Sequence, residues 1–218
     1  MRLRNAITAC GLLFTMGLAS CSTTPSTETA KVETTEIFTD SYGKITDAGY
    51  ALPAIPIKRV DKKFHRQVVN YPTTEKRGTI IVDTHNRFLY YVLGDGKAMR
   101  YGIGVGKQGF AWKGRAYVAW KQEWPNWHPP VEMAARKPEV AKYVEKGMDP
   151  GITNPLGARA MYLFDEKGHD TQYRLHGTPE WASIGTAASS GCIRLMNQDV
   201  IDLYSRVRPG KNAQVIVL

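Results

Sequence analysis

Gly78-Thr79-Ile80-Ile81-Val82-Asp83, then Arg87-Phe88-Leu89-Tyr90-Tyr91-Val92-Leu93-Gly94-Asp95-Gly96, then Ala98-Met99-Arg100-Tyr101-Gly102-Ile103-Gly104-Val105-Gly106: this stretch decides the fold. Its β-branched and aromatic residues suit a pleated, half-buried surface. Asp95-Gly96 between two such runs is a hairpin signal, because both residues tolerate positive φ. Ala116–Trp120 reads as another strand, and Ala213–Leu218 as a strand closing the chain. Helical patterns are short. Glu132–Lys137 and Glu139–Lys146 are divided by Pro138, which interrupts the helical path. The clearest helix is Gln198–Val207, with Asn197 placed to cap it and Val200, Ile201, Leu203, Tyr204 and Val207 on one face. Arg206 and Arg208 suit its negative end, and Pro209-Gly210 stops it. The expectation is a mainly β domain with short helices.

Upstream, the patterning weakens. Residues 49–76 carry Pro53, Pro56 and Pro72 among short apolar pieces and read as a segment along the domain's edge. Residues 22–48 are rich in Ser, Thr, Glu and Lys, so 21–48 reads as a solvated tether. At the start, Arg2 and Arg4 precede a largely apolar run, Ala6 to Ala19. That run falls short of the roughly 20 apolar residues that span a bilayer, and residues 1–20 read as an export signal. Its end, Leu18-Ala19-Ser20-Cys21, resembles the lipobox of bacterial lipoproteins. The resemblance implies cleavage before Cys21 and a diacylglycerol on its sulfur, hence a lipid anchor to a membrane of the cell envelope. Ser22 after the cysteine points to the outer membrane where a host has one. The plainer alternative is an ordinary secretory signal with Cys21 incidental.

The chain has 218 residues, 43% hydrophobic and 22% charged, which excludes disorder throughout and suits one core with some extra chain. A formal charge of +9 favours anionic partners, wall polymers among them. The cations are scattered and no nucleic-acid motif accompanies them, so nucleic acid is not an expected partner. Three cysteines, Cys10, Cys21 and Cys192, cannot form a fully paired framework. Cys10 leaves with the export signal, and Cys192 is then the one thiol of the mature body.

The chemistry gathers in Tyr173-Arg174-Leu175-His176-Gly177-Thr178 and Ala188-Ser189-Ser190-Gly191-Cys192-Ile193-Arg194-Leu195. A cysteine that attacks a carbonyl acts as thiolate, and a nearby histidine can take its proton and return it to the leaving amine. Gly191 lets the backbone turn tightly, and the amides of Gly191 and Cys192 could face an oxyanion. Each residue has a plainer reading: a lone cysteine is usually a small buried hydrophobe, and a lone histidine a structural residue. What favours catalysis is retention of a single thiol in an oxidising compartment. One Cys and one His fall short of a metal site, and His65, His85, His128 and His169 show no ligand spacing. No metal and no cofactor are expected.

His176-Gly177-Thr178, a gap, then Ser190-Gly191-Cys192-Ile193-Arg194-Leu195 resembles the signature of the L,D-transpeptidase catalytic domain, the YkuD type. The resemblance spans residues 77–218 and includes the Gly102–Gly106 strand end and Asn154-Pro155-Leu156-Gly157. It implies a mixed, β-sandwich-like fold. Cys192 would attack the third-residue carbonyl of a peptidoglycan tetrapeptide stem and expel the terminal D-alanine. An amine then resolves the acyl-enzyme. His176 would be the general base, oriented through the Gly177 backbone, and Arg194 would position either the loop or a substrate carboxylate. Many members carry histidine where this chain has Ser190, and asparagine where it has Arg194. The Ser190 difference alters the polar surroundings of the thiol and leaves the base in place. Trp112, Trp120, Trp124 and Trp127 with His128-Pro129-Pro130 form an aromatic region within 107–152, a lid or substrate wall. For the tryptophans, core packing is the favoured reading over stacking on substrate. The rivals are a wall-active cysteine L,D-carboxypeptidase or endopeptidase with water as acceptor, and a non-catalytic wall-binding lipoprotein.

Cys21→Ala is expected to abolish palmitate labelling and release the protein into the soluble envelope fraction. A wild-type chain carrying no lipid would end the lipoprotein reading.

Overall fold

The computed structural model describes residues 33–106, 113–189 and 191–218. Residues 1–20, Cys21, Trp112 and Ser190 lie outside the described residues. In chain order come strands Thr34–Ile37 (β1), Ile45–Asp47 (β2), Tyr50–Leu52 (β3), Gln67–Asn70 (β4), Ile80–Asp83 (β5), Phe88–Gly94 (β6), Lys97–Gly102 (β7), Val105–Gly106 (β8) and Gly114–Glu123 (β9). Short helices Val131–Arg136 (α1) and Tyr143–Lys146 (α2) follow, separated by a 3-10 turn at Pro138–Val140. The chain then runs through Arg159–Asp165 (β10), Asp170–Thr178 (β11), Ala187–Ser189 (β12), Ile193–Met196 (β13), helix Asn197–Arg206 (α3) and Gln214–Val217 (β14).

Ten strands make one mixed sheet in the order β1-β4-β7-β6-β5-β14-β9-β10-β11-β13. The last strand is thus interior, parallel to β5 and antiparallel to β9. The run at Ile80-Ile81-Val82 is continuously apolar because both faces of β5 are covered. Ile80 and Val82 enter the main core and Ile81 the cluster on the opposite face. At the β6–β7 hairpin, Asp95 and Gly96 adopt φ of 51° and 67°, the signs a two-residue turn of the primed type requires.

The sheet curls so that its halves share one core. Leu89 and Tyr101 from β6 and β7 meet Leu163, Leu175 and Leu195 from β10, β11 and β13, with Leu203 of α3 among them. That is the sandwich-like arrangement. Each such leucine contributes about 1.5–3 kcal/mol by burial.

Three expectations change. The N-cap of α3 is Met196, without a side-chain cap; Asn197 is buried, and its Oδ1 accepts the Ala158 N–H at 2.9 Å. At the other end of α3, Lys121 donates to the carbonyls of Tyr204 and Val207, while Arg206 grips Asp202 instead. The third change concerns the tether and the edge segment. Residues from Thr34 onward belong to the domain: β1 pairs with β4, and β4 with β7. A polar sequence joined the sheet because strand pairing uses backbone groups, and all four residues of β1 keep their side chains in solvent.

Tyr42 fastens this N-terminal part to α3. Its hydroxyl accepts the Arg66 N–H at 2.6 Å and donates to Asp199 at 3.2 Å, while Arg66 pairs with Asp202 at 3.2 Å. Burial pushes the Asp199 carboxyl up to about 7, partly offset by Arg66. The fold therefore favours protonated Asp199. The stability this gives is complete below the ordinary value of 3.8 and is lost as pH rises through about 7. Asp199→Asn is expected to raise Tm at pH 8 relative to wild type and to leave it little changed at pH 4. Equal Tm shifts at both pH values would contradict that assignment.

Candidate active site

Strands β11 and β13 run parallel, with Leu175 level with Ile193, His176 with Arg194 and Gly177 with Leu195. Leu175, Ile193 and Leu195 enter the core. Because side chains alternate along a strand, the residues between them face the other way. Arg174, His176, Cys192 and Arg194 are therefore the four corners of one patch, and all line a cleft of about 850 Å³. The opposite wall comes from the β9–β10 connection, through Trp127, His128, Met133, Tyr143 and Leu156. Of the lid or substrate wall expected of residues 107–152, the described part lines this cleft.

Several close approaches hold the patch. Gly157, at φ 62°, lies against Gly177: a Cβ on Gly157 would sit 2.6 Å from the Gly177 carbonyl carbon. A Cβ on Gly177 would collide with Asn197 Oδ1 and come within 3.0 Å of Val200. The loop that brings Gly157 here is organised by buried Asn154. Its Nδ2 donates to the carbonyls of Pro125, Met148 and Asp149, and its Oδ1 accepts the Leu156 N–H. On the far side, Gly104 exchanges both backbone hydrogen bonds with Arg194, at 2.9 and 2.8 Å. Gly191 has φ 131°, a conformation that favours glycine, immediately before Cys192.

His176 is buried, and its Nδ1 lies 2.6 Å from the Gly177 carbonyl. A carbonyl only accepts, so Nδ1 carries the proton and Nε2 has the lone pair. Burial, helped by Arg194 and Arg174, drives the His176 pKa down to about 4. Burial also pushes the Cys192 thiol up, opposed by a backbone hydrogen bond from Arg174 and by the charges of Arg174 and Arg194. Burial thus disfavours charge on both groups and keeps the imidazole neutral. This differs from the standing thiolate expected of a solvated pair, and desolvation is the reason.

Arg194 holds Glu180, Nη1 to Oε2 at 2.8 Å, on the cleft rim. In this state it braces the 178–194 loop. The tryptophans divide. Trp124 is core, its Nε1 donating to Asp47 at 2.7 Å. Trp120 is 43% exposed and stacks on Tyr162 with centroids 3.4 Å apart, contrary to the core expectation. Trp127 faces the cleft. Sequence reasoning missed Arg174 and Tyr162. The signal for Arg174 was period two, since it precedes His176 by two positions on a strand; Tyr162 carried no local signal.

Residues 77–217 match the family profile of the YkuD L,D-transpeptidase catalytic domain. "Probable L,D-transpeptidase YcfS" of Escherichia coli K12 is 32% identical over 148 residues, 66% of this chain and 45% of that protein. "Probable L,D-transpeptidase YbiS" of the same organism is 30% identical over 149 residues, 66% of this chain and 46% of that one. The chain thus spans just under half the length of these relatives. A solved structure from Brucella melitensis, named a probable carnitine operon oxidoreductase, is 47% identical. It covers 72% of this chain and 96% of its own, with a TM-score of 0.50.

Gly177→Ala is expected to destabilise by about 1–3 kcal/mol through overpacking against Asn197 and Val200. At about 2–4 °C per kcal/mol for a chain of this size, Tm should fall by several degrees. Thermal unfolding checks this, and an unchanged Tm would mean that Asn197 and Val200 give way freely around Gly177.

Proposed function

This chain belongs to the L,D-transpeptidase catalytic domain family, and from that premise we propose that it is a peptidoglycan L,D-transpeptidase with Cys192 as nucleophile and His176 as general base. The observation that carries the reading is the shared cleft of about 850 Å³, lined by the thiol just ahead of β13 and by the neutral imidazole of β11. The name of the Brucella structure describes that protein and is not transferred.

The substrate is a tetrapeptide stem, attacked at the carbonyl of its third residue. With Nδ1 committed to the Gly177 carbonyl, Nε2 is the atom that takes the thiol proton as sulfur bonds to carbon. The tetrahedral oxyanion forms beside the Gly191–Cys192 backbone, where peptide amides oppose its charge. Collapse expels the D-alanine amine, which leaves with the proton from His176, and a thioester remains on Cys192. An amine acceptor, a second stem giving a 3-3 cross-link, then attacks the thioester and gives its proton to His176. That proton returns to sulfur as the thiol leaves. Arg174 and Arg194 disfavour an imidazolium, so His176 passes its proton on rather than keeping it.

The same proposal places the protein in the cell envelope, exported and held to a membrane by lipidated Cys21. Among the described residues the sheet begins at Thr34.

Intact-mass measurement with tetrapeptide stem, or with a carbapenem, is expected to show an acyl adduct on wild type and none on Cys192→Ala. His176→Ala should slow acylation by two or more orders of magnitude, in line with the 10²–10⁴-fold of general-base catalysis. The acid limb of wild-type acylation should fall near pH 4, where His176 becomes protonated and loses its acceptor. An adduct persisting on Cys192→Ala overturns the nucleophile. Release of hydrolysed tripeptide alone, with amine acceptors present, makes water the acceptor and the protein a carboxypeptidase.

A further inference from the structure

One rung of the sheet runs outward from the thiol. Trp120 of β9 is level with Tyr162 of β10, and Tyr162 with Arg174 of β11. The first β11–β13 pair is Leu175–Ile193, so Arg174 and Cys192 each stand one residue ahead of it, level at the point where the ladder begins, and both line the cleft. The side chains stack along this rung: Trp120 on Tyr162, then the Arg174 guanidinium 4.5 Å above the Tyr162 ring. Residues opposite one another on neighbouring strands are close neighbours, with Cβ atoms about 5 Å apart.

Arg174 is also held from behind. Its two terminal nitrogens make a bidentate pair with Asp170, at 2.6 and 2.7 Å. Four residues apart on an extended strand, two side chains would be well out of reach. A bulge in β11 brings them together: between Tyr162–Arg174 and Phe164–Asp170 the pairing spans two residues on β10 but four on β11. Gln172 there takes φ 62°, unusual for a side-chain-bearing residue, and its N–H donates to Asp170 Oδ1. Bulges beside active sites commonly re-aim a side chain. Ring, carboxylate and bulge together fix a guanidinium, most of it buried, in the cleft that the thiol also lines.

We propose that Arg174 is the fixed counter-cation of the Cys192 thiolate, held beside the sulfur by the Tyr162 stack and the Asp170 clamp. A neutral imidazole carries no positive charge to set against a thiolate. The guanidinium stays charged and stabilises the anion at the moment it forms. It fills for the anion the role that an imidazolium fills in a thiolate–imidazolium pair. The inference rests on Cys192 being the nucleophile.

The other charged groups facing the sulfur are few. On the sheet they are His176 and Arg194, whose partner Glu180 is more exposed than the Asp170 that pairs with Arg174. Across the cleft, the opposite wall presents His128, Lys137, Glu139, Lys142 and Tyr143, of mixed sign. Arg174 is the cation level with the thiol.

The test is the pH dependence of alkylation of Cys192 by iodoacetamide, a neutral probe, followed by mass of the Cys192 peptide. Arg174→Gln should move the midpoint alkaline by about one unit or more, lowering the rate about tenfold at pH below it. Arg174→Lys should restore most of the shift. Tyr162→Leu removes the ring under the guanidinium with every charge kept, and should move the midpoint alkaline by less than Arg174→Gln does. A merely structural arginine would lower Tm in these variants and leave the midpoint in place. An unmoved midpoint in Arg174→Gln overturns the proposal. Should that variant fail to fold, an unmoved or acid-shifted midpoint in Tyr162→Leu overturns it instead. Alkylation needs no stem peptide, so failure of acylation by the stem and failure of this proposal are read separately.

Discussion

The site depends on one constraint, the parallel pairing of β11 with β13. It makes four side chains from two separated stretches share a face, and it makes the intervening residues core. Parallel neighbours cannot be joined by a tight turn, so the chain must leave the sheet after Thr178 and return at Ile193. That excursion is where the loop with Gly191 lies, and β12 ties it down by pairing with β8. Gly104 then locks the end of the excursion by exchanging hydrogen bonds with the backbone of Arg194.

The second dependence is on close backbone approach. Gly157 and Gly177 touch where side chains would otherwise stand, and Asn197 satisfies the backbone N–H next to them. Through Asn154 the same loop gathers the carbonyls of Pro125, Met148 and Asp149, which carry the far wall of the cleft. The wall is thus built from the same contact that orients the imidazole. Its composition is mixed and open to solvent, while the thiol side is drier and cationic. A low-dielectric floor under a polar wall is a suitable setting for charge that exists only during reaction.

The electrostatics follow from burial. A solvated Cys–His pair beside a cation would be expected to hold a thiolate. Here desolvation acts against both charges, lowering His176 and raising Cys192. The arginines change the balance for one partner only: they favour the thiolate and oppose the imidazolium. The imidazole is therefore kept neutral, and under the proposed roles the thiol becomes charged in the step that uses it.

The β character, the hairpin at Asp95-Gly96, the α3 span and the segments bearing His176 and Cys192 were legible from the chain alone. Each is encoded locally, by β-branched runs, turn residues, period and a short motif. Gly177 and Gly191 were legible as special, although their reasons differ: one avoids a neighbouring asparagine, the other adopts positive φ. What only the tertiary structure decided involves groups far apart in sequence. Asn197 looked like a helix cap and became a partner for Ala158, because α3 packs over the Gly157 loop. The polar stretch after residue 33 looked like tether and became an edge strand, since backbone pairing is indifferent to side-chain polarity. Trp120 and Tyr162 met across two strands, and Arg174 met its carboxylate through a bulge. Register and burial are properties of pairs of strands, and a single strand's sequence does not contain them.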